Sequence, residues 1–170
     1  MGIITLRLAA VGDAEQIREI YNHEVLNTVA TFDLVPRTLA DQQDWLMHRS
    51  GAFATIVAID ADTAAEGRGV VGFGALSPYK ERAAYRTSVE NSVYVHRDRQ
   101  GEGIGGLLLT ELLATAARSG FHAVFARINA ASQASIALHR GCGFEPVGTE
   151  REVGRKFGRW HDVTVMERLL

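Results

Sequence analysis

A chain of 170 residues, 46% apolar and 22% charged, is long enough to bury a core of its own and reads as one globular domain spanning residues 1–170. Its net charge of −2 speaks against a dedicated nucleic-acid binder, which would carry a marked basic excess. The apolar runs are too short to span a membrane, the opening MGIITLRLAAVGD lacks a secretory pattern, and the single cysteine, Cys142, excludes an internal disulfide, so a cytoplasmic protein is expected.

IITLRLA reads as a first strand, after which Asp13 is placed to cap a helix through AEQIREIYNHEVL. Ile17, Ile20, Tyr21 and Val25 recur there at helical spacing and give one apolar face. NTVATFDLVPRT reads as an irregular loop, and LADQQDWLMHRS as a second short helix. FATIVAID and GVVGFGALS are strands separated by the polar turn ADTAAEGR. SPYKERAAYR is a basic, aromatic loop leading into a fourth strand, TSVENSVYVH. Alternation puts Ser88, Glu90, Ser92 and Tyr94 on one face of that strand and Val89, Val93 and Val95 on the other. A helix follows with Ile104, Leu108, Leu112 and Ala116 four apart. HAVFARI is a fifth strand, SQASIALHRGC a helix, and GFEPVGTEREVG with RWHDVTVMERLL a closing hairpin. The pattern predicts a mixed α/β sheet with helices packed on it.

The segment HRDRQGEGIGG, just before the third long helix, carries the most specific chemistry. Helix N-termini present unpaired N–H groups and a partial positive charge, and glycine lets an anion approach the backbone without meeting a Cβ. Gly101, Gly103, Gly105 and Gly106 therefore read as a phosphate cradle, with close helix packing as the plainer alternative. No Lys-Ser or Lys-Thr follows, which excludes the nucleotide-hydrolysing P-loop. Gly101, Gly103 and Gly106 also satisfy the dinucleotide pattern G-x-G-x-x-G. However, HRDRQ separates them from the strand, and HAVFARI ends near Arg127 where a ribose-binding acid would stand, which weakens that reading.

Gln100-Gly101-Glu102-Gly103-Ile104-Gly105 fits Q/R-x-x-G-x-G/A, and in this the chain resembles the GNAT acetyltransferase superfamily. Along IYNHEVLNTVATFDLVP, SVENSVYVHRDRQGEGIG, ASIALHRGCGF and VGRKFGRWHDVTVM it resembles most the phosphinothricin and methionine sulfoximine acetyltransferases. The resemblance implies a central, mostly antiparallel, twisted sheet that splays between its fourth and fifth strands and is flanked by about four helices. It also implies acetyl-coenzyme A as cosubstrate and no metal. The cosubstrate would be held by the backbone of Val93, Tyr94 and Val95, by the loop Gln100, Gly101, Glu102, Gly103, Ile104, Gly105 and Gly106, and by Ser132. Relatives tend to carry asparagine at the position of Ser132, and Asn129 stands nearby to compensate.

Acetylation of an amine requires a base to take the ammonium proton and an acid for the departing thiolate. Glu90, a carboxylate in an otherwise apolar strand, is the candidate base, with a salt bridge to Arg82 or Arg86 as its structural alternative. His139 falls where many superfamily members carry a tyrosine, so by resemblance it serves as acid or shares the base role. Nothing in the sequence around Cys142 suggests a covalent acetyl-enzyme, so direct transfer in a ternary complex is expected.

Lys80, Arg82 and Tyr85 in the basic loop suit an acceptor with a carboxylate and an oxyanionic or sulfoxide side chain. The resemblance adds Phe32 at the pocket mouth, Glu81, Asn91 and Ser92 around the acceptor, and a homodimer in which KFGRW completes the pocket. An amino-acid N-acetyltransferase is the leading expectation. A protein N-terminus, a polyamine or an antibiotic as acceptor, or a non-enzymatic coenzyme A module, are the alternatives.

Overall fold

The computed structural model describes residues 2–49, 51–64 and 69–170. In chain order the elements are β1 (Ile4–Leu8), α1 (Ala14–Asn27), α2 (Leu39–Met47), β2 (Thr55–Asp60), a one-turn helix α3 (Ala61–Ala64) and β3 (Val70–Pro78). They continue with β4 (Ser88–Val95), α4 (Ile104–Arg118), β5 (Ala123–Asn129), α5 (Gln133–Gly141), β6 (Glu145–Lys156) and β7 (Arg159–Leu169). The polar turn expected over 61–68 begins with α3, and residues 65–68 lie outside the described residues, as does Ser50 at the end of the second helical stretch.

The strands form one sheet in the order β1-β2-β3-β4-β5-β7-β6. Only the β4–β5 pair is parallel; the others are antiparallel. That parallel pair spans only Ser88–Ala123, Val89–Val124 and Glu90–Phe125, after which the two strands part. The splayed, mostly antiparallel sheet expected from the resemblance is present.

Each face of the sheet carries its own core. On one side Ile104, Leu108, Leu112 and Ala116 of α4 pack on Val89 and Val124, all fully or nearly fully buried. Gly72 and Gly74 of β3 make room for that helix: a Cβ on Gly74 would stand 2.7 Å from Leu112 Cδ1. On the other side Ile17, Ile20, Tyr21 and Val25 of α1 pack against Phe73 and Tyr94. Tyr94 stacks on Phe73 with ring centroids 5.2 Å apart. The apolar faces read from helical spacing are thus the buried ones.

Three local features differ from or sharpen the sequence reading. Asp13 precedes α1 but makes no side-chain cap on it. Instead its carboxylate accepts the Ala10 N–H at 2.8 Å and two Arg7 N–H groups at 2.7 and 2.8 Å, because Arg7 on β1 offers a stronger, charged donor. The real side-chain cap is at α2, where Thr38 accepts the Asp41 N–H and Asp41 accepts the Thr38 N–H in return. The closing hairpin turns on Phe157 and Gly158, both at positive φ (51° and 73°), the signature of a type I′ turn.

Leu112→Ala removes a fully buried side chain at the centre of the α4 contact. It is expected to lower stability by about 2–5 kcal/mol in denaturant unfolding.

Candidate active site

Where β4 and β5 part, a cavity of about 180 Å³ opens through the sheet. Glu90, Ser92 and Tyr94 border it from β4, Arg127 and Asn129 from β5, and Ser132, Ser135 and His139 from α5 and its approach. It adjoins a groove of about 390 Å³ lined by Gln100, Gly101, Gly103, Gly105 and Gly106, with Val93, Ser132 and Ser135 common to both. Residues from four separate stretches of sequence therefore share one continuous recess.

The backbone of β4 turns one edge into this recess. His96 N–H bonds Val71 O of β3, so the two-residue period directs the peptide groups of Val95 and Val93 the other way, toward the gap. Gln100 Nε2 reaches Val95 O from that side at 3.3 Å.

The glycine segment serves two purposes. Gly101 and Gly103 sit at φ of 82° and 83°, a region that side-chain-bearing residues avoid, and nothing lies within 4 Å of where a Cβ on either would stand. Gly105 instead faces Leu138 of α5, whose Cδ2 would be 3.2 Å from its Cβ, so here glycine serves helix packing. Gly106 and Leu107 make the first intrahelical bonds, to Gly103 O, which leaves the N–H groups of Ile104 and Gly105 at the helix start without a partner among the described residues. Glu102 turns from the groove and, with Asp60 at the end of β2, grips Arg99 in charged hydrogen bonds of 2.6–3.0 Å. Arg99 thereby pins the loop to the sheet, and a partner 39 residues away left no trace in the sequence.

Glu90 stands half-buried on the α1 face of β4. Burial raises its pKa above the ordinary carboxylate range; the positive charge of Arg127 pulls it back, and Glu150 adds to the rise. No salt bridge links it to Arg82 or Arg86, so the structural alternative is absent from the fold.

On the opposite face His139 is buried, edge-on to Phe144 at 5.0 Å. Its Nδ1 lies 2.8 Å from Ser135 O and its Nε2 3.1 Å from Asn91 Oδ1. The orientation of the Asn91 amide follows from its other bond, Nδ2 donating to Phe125 O at 3.0 Å. Both ring nitrogens therefore face acceptors, an arrangement that only the imidazolium satisfies in full. Burial opposes it and lowers the pKa of His139, with Ser135 O partly offsetting that effect. Burial therefore favours the neutral ring, while the two facing acceptors favour the protonated one.

Of the residues expected at the acceptor, Asn91 and Ser92 border the cavity, whereas the basic-loop residues do not. Asn91 is buried on the His139 face, bonded to Phe125 O and the imidazole. Lys80, Glu81, Arg82 and Tyr85 are exposed and do not border the cavity. Lys80 Nζ hovers over the rings of Tyr79 and Tyr85 at 4.8 and 5.1 Å, while Tyr79 stacks on Phe125 at 4.1 Å and fixes the loop at the foot of the gap. Phe32 is seated on Gly154 of the closing hairpin, where any Cβ would collide with its ring at 2.2 Å. Lys156 of the same hairpin is buried and donates to Thr31 O at 2.7 Å and Glu24 O at 3.4 Å, while Phe157 and Trp160 are exposed. Arg127 and Arg99 are the site residues whose part here the sequence did not disclose, while Asn129, expected beside Ser132, borders the cavity with it.

The sequence of residues 15–144 matches the model of the Acetyltransferase (GNAT) family. Over 169 residues the chain is 40% identical to a phosphinothricin N-acetyltransferase of Streptomyces coelicolor, covering 98% of this chain and 96% of that one. It is also 40% identical over 163 residues to an L-methionine sulfoximine/L-methionine sulfone acetyltransferase of Pseudomonas paraeruginosa, covering 96% and 92%. Among solved structures, the phosphinothricin acetyltransferase of Sinorhizobium meliloti in complex with AcCoA superposes with a TM-score of 0.91 at 38% identity, over 98% of this chain and 88% of that one. With the splayed sheet, the glycine-lined groove and these matches together, the chain belongs to the GNAT family of acetyltransferases.

Proposed function

We propose that residues 1–170 form one domain that transfers an acetyl group from acetyl-coenzyme A to the α-amino group of a small amino acid, directly and with both substrates bound. Phosphinothricin, methionine sulfoximine and methionine sulfone are the acceptor class, on the strength of what the relatives' names say they act on. The observation that carries this reading is the joining of two recesses, a desolvated carboxylate in one and a bare-backbone anion cradle in the other.

The groove fits the cosubstrate. The N–H groups of Ile104 and Gly105, beside the open backbone of Gly101 and Gly103, suit a pyrophosphate. The gap-facing peptide groups of Val93 and Val95 suit an extended amide-bearing arm, taken up like an added strand. When bound, acetyl-coenzyme A supplies the acetyl group as a thioester.

Glu90 acts as the base, taking the ammonium proton of the acceptor directly or through a water. Its raised pKa brings it nearer the amine's, and the Arg127 charge limits that rise. His139, with an acceptor at each ring nitrogen, holds or returns a proton across the gap. Cys142 borders a different recess, at the far end of α5, which supports transfer without an acetyl-enzyme. Exposed Val153, Phe157 and Trp160 on the closing hairpin support the expectation of a homodimer.

Gly103→Val places a branched side chain at a positive-φ position facing the cradle. Calorimetry should show coenzyme A affinity falling at least tenfold, with the far-ultraviolet circular dichroism unchanged. Retained affinity would remove this loop from the cosubstrate site.

Glu90→Gln keeps the shape and deletes the base, so kcat at neutral pH should fall by about 10²–10⁴ while coenzyme A affinity holds. In the parent enzyme kcat/KM should rise with pH along a limb lying above the ordinary glutamate value, because Glu90 must be ionised and its pKa is raised. The same sign makes the glutamine variant more stable than the parent at neutral pH, an advantage that fades as pH falls and Glu90 takes up its proton. A variant with full kcat, beside an inactive His139→Ala, would assign the base role to His139.

A further inference from the structure

The cavity between β4 and β5 holds opposite charges on its two walls. Glu90 borders it from β4 and Arg127 from β5, and Arg127 is close enough to depress the pKa of Glu90 against the effect of burial. The Arg127 guanidinium spends Nη2 on Glu150, whereas Nε and Nη1 make no hydrogen bond within the described residues. Two residues along the same strand, Asn129 is 7% exposed, and its Nδ2 has no partner among the described residues. Its Oδ1 is fixed by the Ala131 N–H at 3.0 Å, so the amide cannot turn to hide the orphan donor without losing that bond. A buried amide N–H without an acceptor costs stability unless a ligand supplies one. The cations expected to recognise an anionic acceptor, Lys80 and Arg82, do not border this cavity.

We propose that Arg127 and Asn129 on β5 form the carboxylate subsite of the acceptor, facing Glu90 on β4, so that the gap recognises the paired charges of an α-amino acid. This rests on the amino-acid reading of the site and adds the residues that impose it. The acceptor ammonium lies toward Glu90 and its carboxylate toward the free edge of Arg127. A planar guanidinium takes a carboxylate through two parallel N–H groups; with one Nη2 hydrogen on Glu150, the edge left pairs its second hydrogen with that of Nε or Nη1, which orients the amine as well as holding it. An amine without the carboxylate forfeits those bonds and leaves the Asn129 donor unmet.

The test uses the full-length protein loaded with coenzyme A and two probes, L-methionine sulfone and its decarboxylated analogue, 3-(methylsulfonyl)propylamine. Calorimetry reads binding of each probe, and thiol release with acetyl-coenzyme A reads turnover. Arg127→Gln is expected to weaken L-methionine sulfone on the order of tenfold or more in both Kd and KM, with the acetyl-coenzyme A KM unchanged and the decarboxylated amine unaffected. Arg127→Lys should recover part of the loss. Glu150→Gln separates recognition from scaffolding: if Arg127 merely pairs with Glu150, this variant copies Arg127→Gln, whereas a carboxylate subsite is left intact or tightened. Equal losses for both probes, no loss for either, or a Glu150→Gln that mimics Arg127→Gln would overturn the proposal. So would failure of the parent protein to bind L-methionine sulfone. Arg127-dependent binding without turnover would uphold the subsite and overturn the proposed reaction, while turnover insensitive to Arg127 would do the reverse.

Discussion

Beyond the Glu90–Phe125 pair the backbones of β4 and β5 diverge, and peptide groups inside a sheet are left without ladder partners. Each buried group abandoned in this way costs about 1–3 kcal/mol, so a gap of this kind persists only if something else meets the demand. At its foot the substitute is part of the protein: the Asn91 amide donates to Phe125 O, where the ladder stops. Higher up, Val93 and Val95 present their peptide groups to an open recess. The interruption thus creates a strand edge in the middle of the sheet, where helices α4 and α5 and the loop after β4 can surround it. An ordinary edge strand would expose the same groups to water and to other chains.

The gap also sets the electrostatics. A carboxylate on a continuous, packed strand would be excluded, and one on an exposed edge would have an ordinary pKa. Glu90 occupies the intermediate position, half-buried and tempered by Arg127. Asn91, the next residue, points to the other face and ties the strand to His139. Neighbouring residues on one strand therefore place a carboxylate on one face of the sheet and a tether to an imidazole on the other. Only a gap that passes through the sheet lets both border one cavity.

Much of this was legible in the sequence, and the reason is periodicity. The faces of α1 and α4 and the alternation in β4 follow from local geometry, and the core confirms them at Ile17, Leu112 and Val89. The glycine segment announced a helix start, and α4 begins at Ile104, directly after Gly103. What escaped notice depended on distant partners. Asp13 reads as a cap until Arg7 is seen to claim it, and Arg99 looks like one of several loop charges until Asp60 is found beneath it. In the basic loop around Lys80 and Arg82, composition records charge but not direction. Its aromatic residues dock on Phe125 and on each other, leaving the cations at the surface. Arg127 enters the sequence reading only as the residue standing where a ribose-binding acid would, because its place beside the gap depends on how β5 pairs.

The loop of residues 28–35 needs the closing hairpin to stay in place. It has no helix or strand of its own, and Leu34 and Val35 stand largely exposed. Two contacts with β6 restrain it. Gly154 lets the Phe32 ring lie flat on the strand, and Lys156 buries its ammonium to bond Thr31 O and Glu24 O. Burial lowers the pKa of that lysine, and the nearby Asp33 and Glu24 charges act the other way. An ammonium is an expensive means of bonding carbonyls, because a neutral donor would lose less hydration. Its length is what recommends it, since it reaches from a sheet edge across to the end of α1. Ala30, from the same loop, borders the cavity beside Glu90. The C-terminal hairpin, far in sequence from Glu90, thereby helps to set the shape of the recess that Glu90 borders.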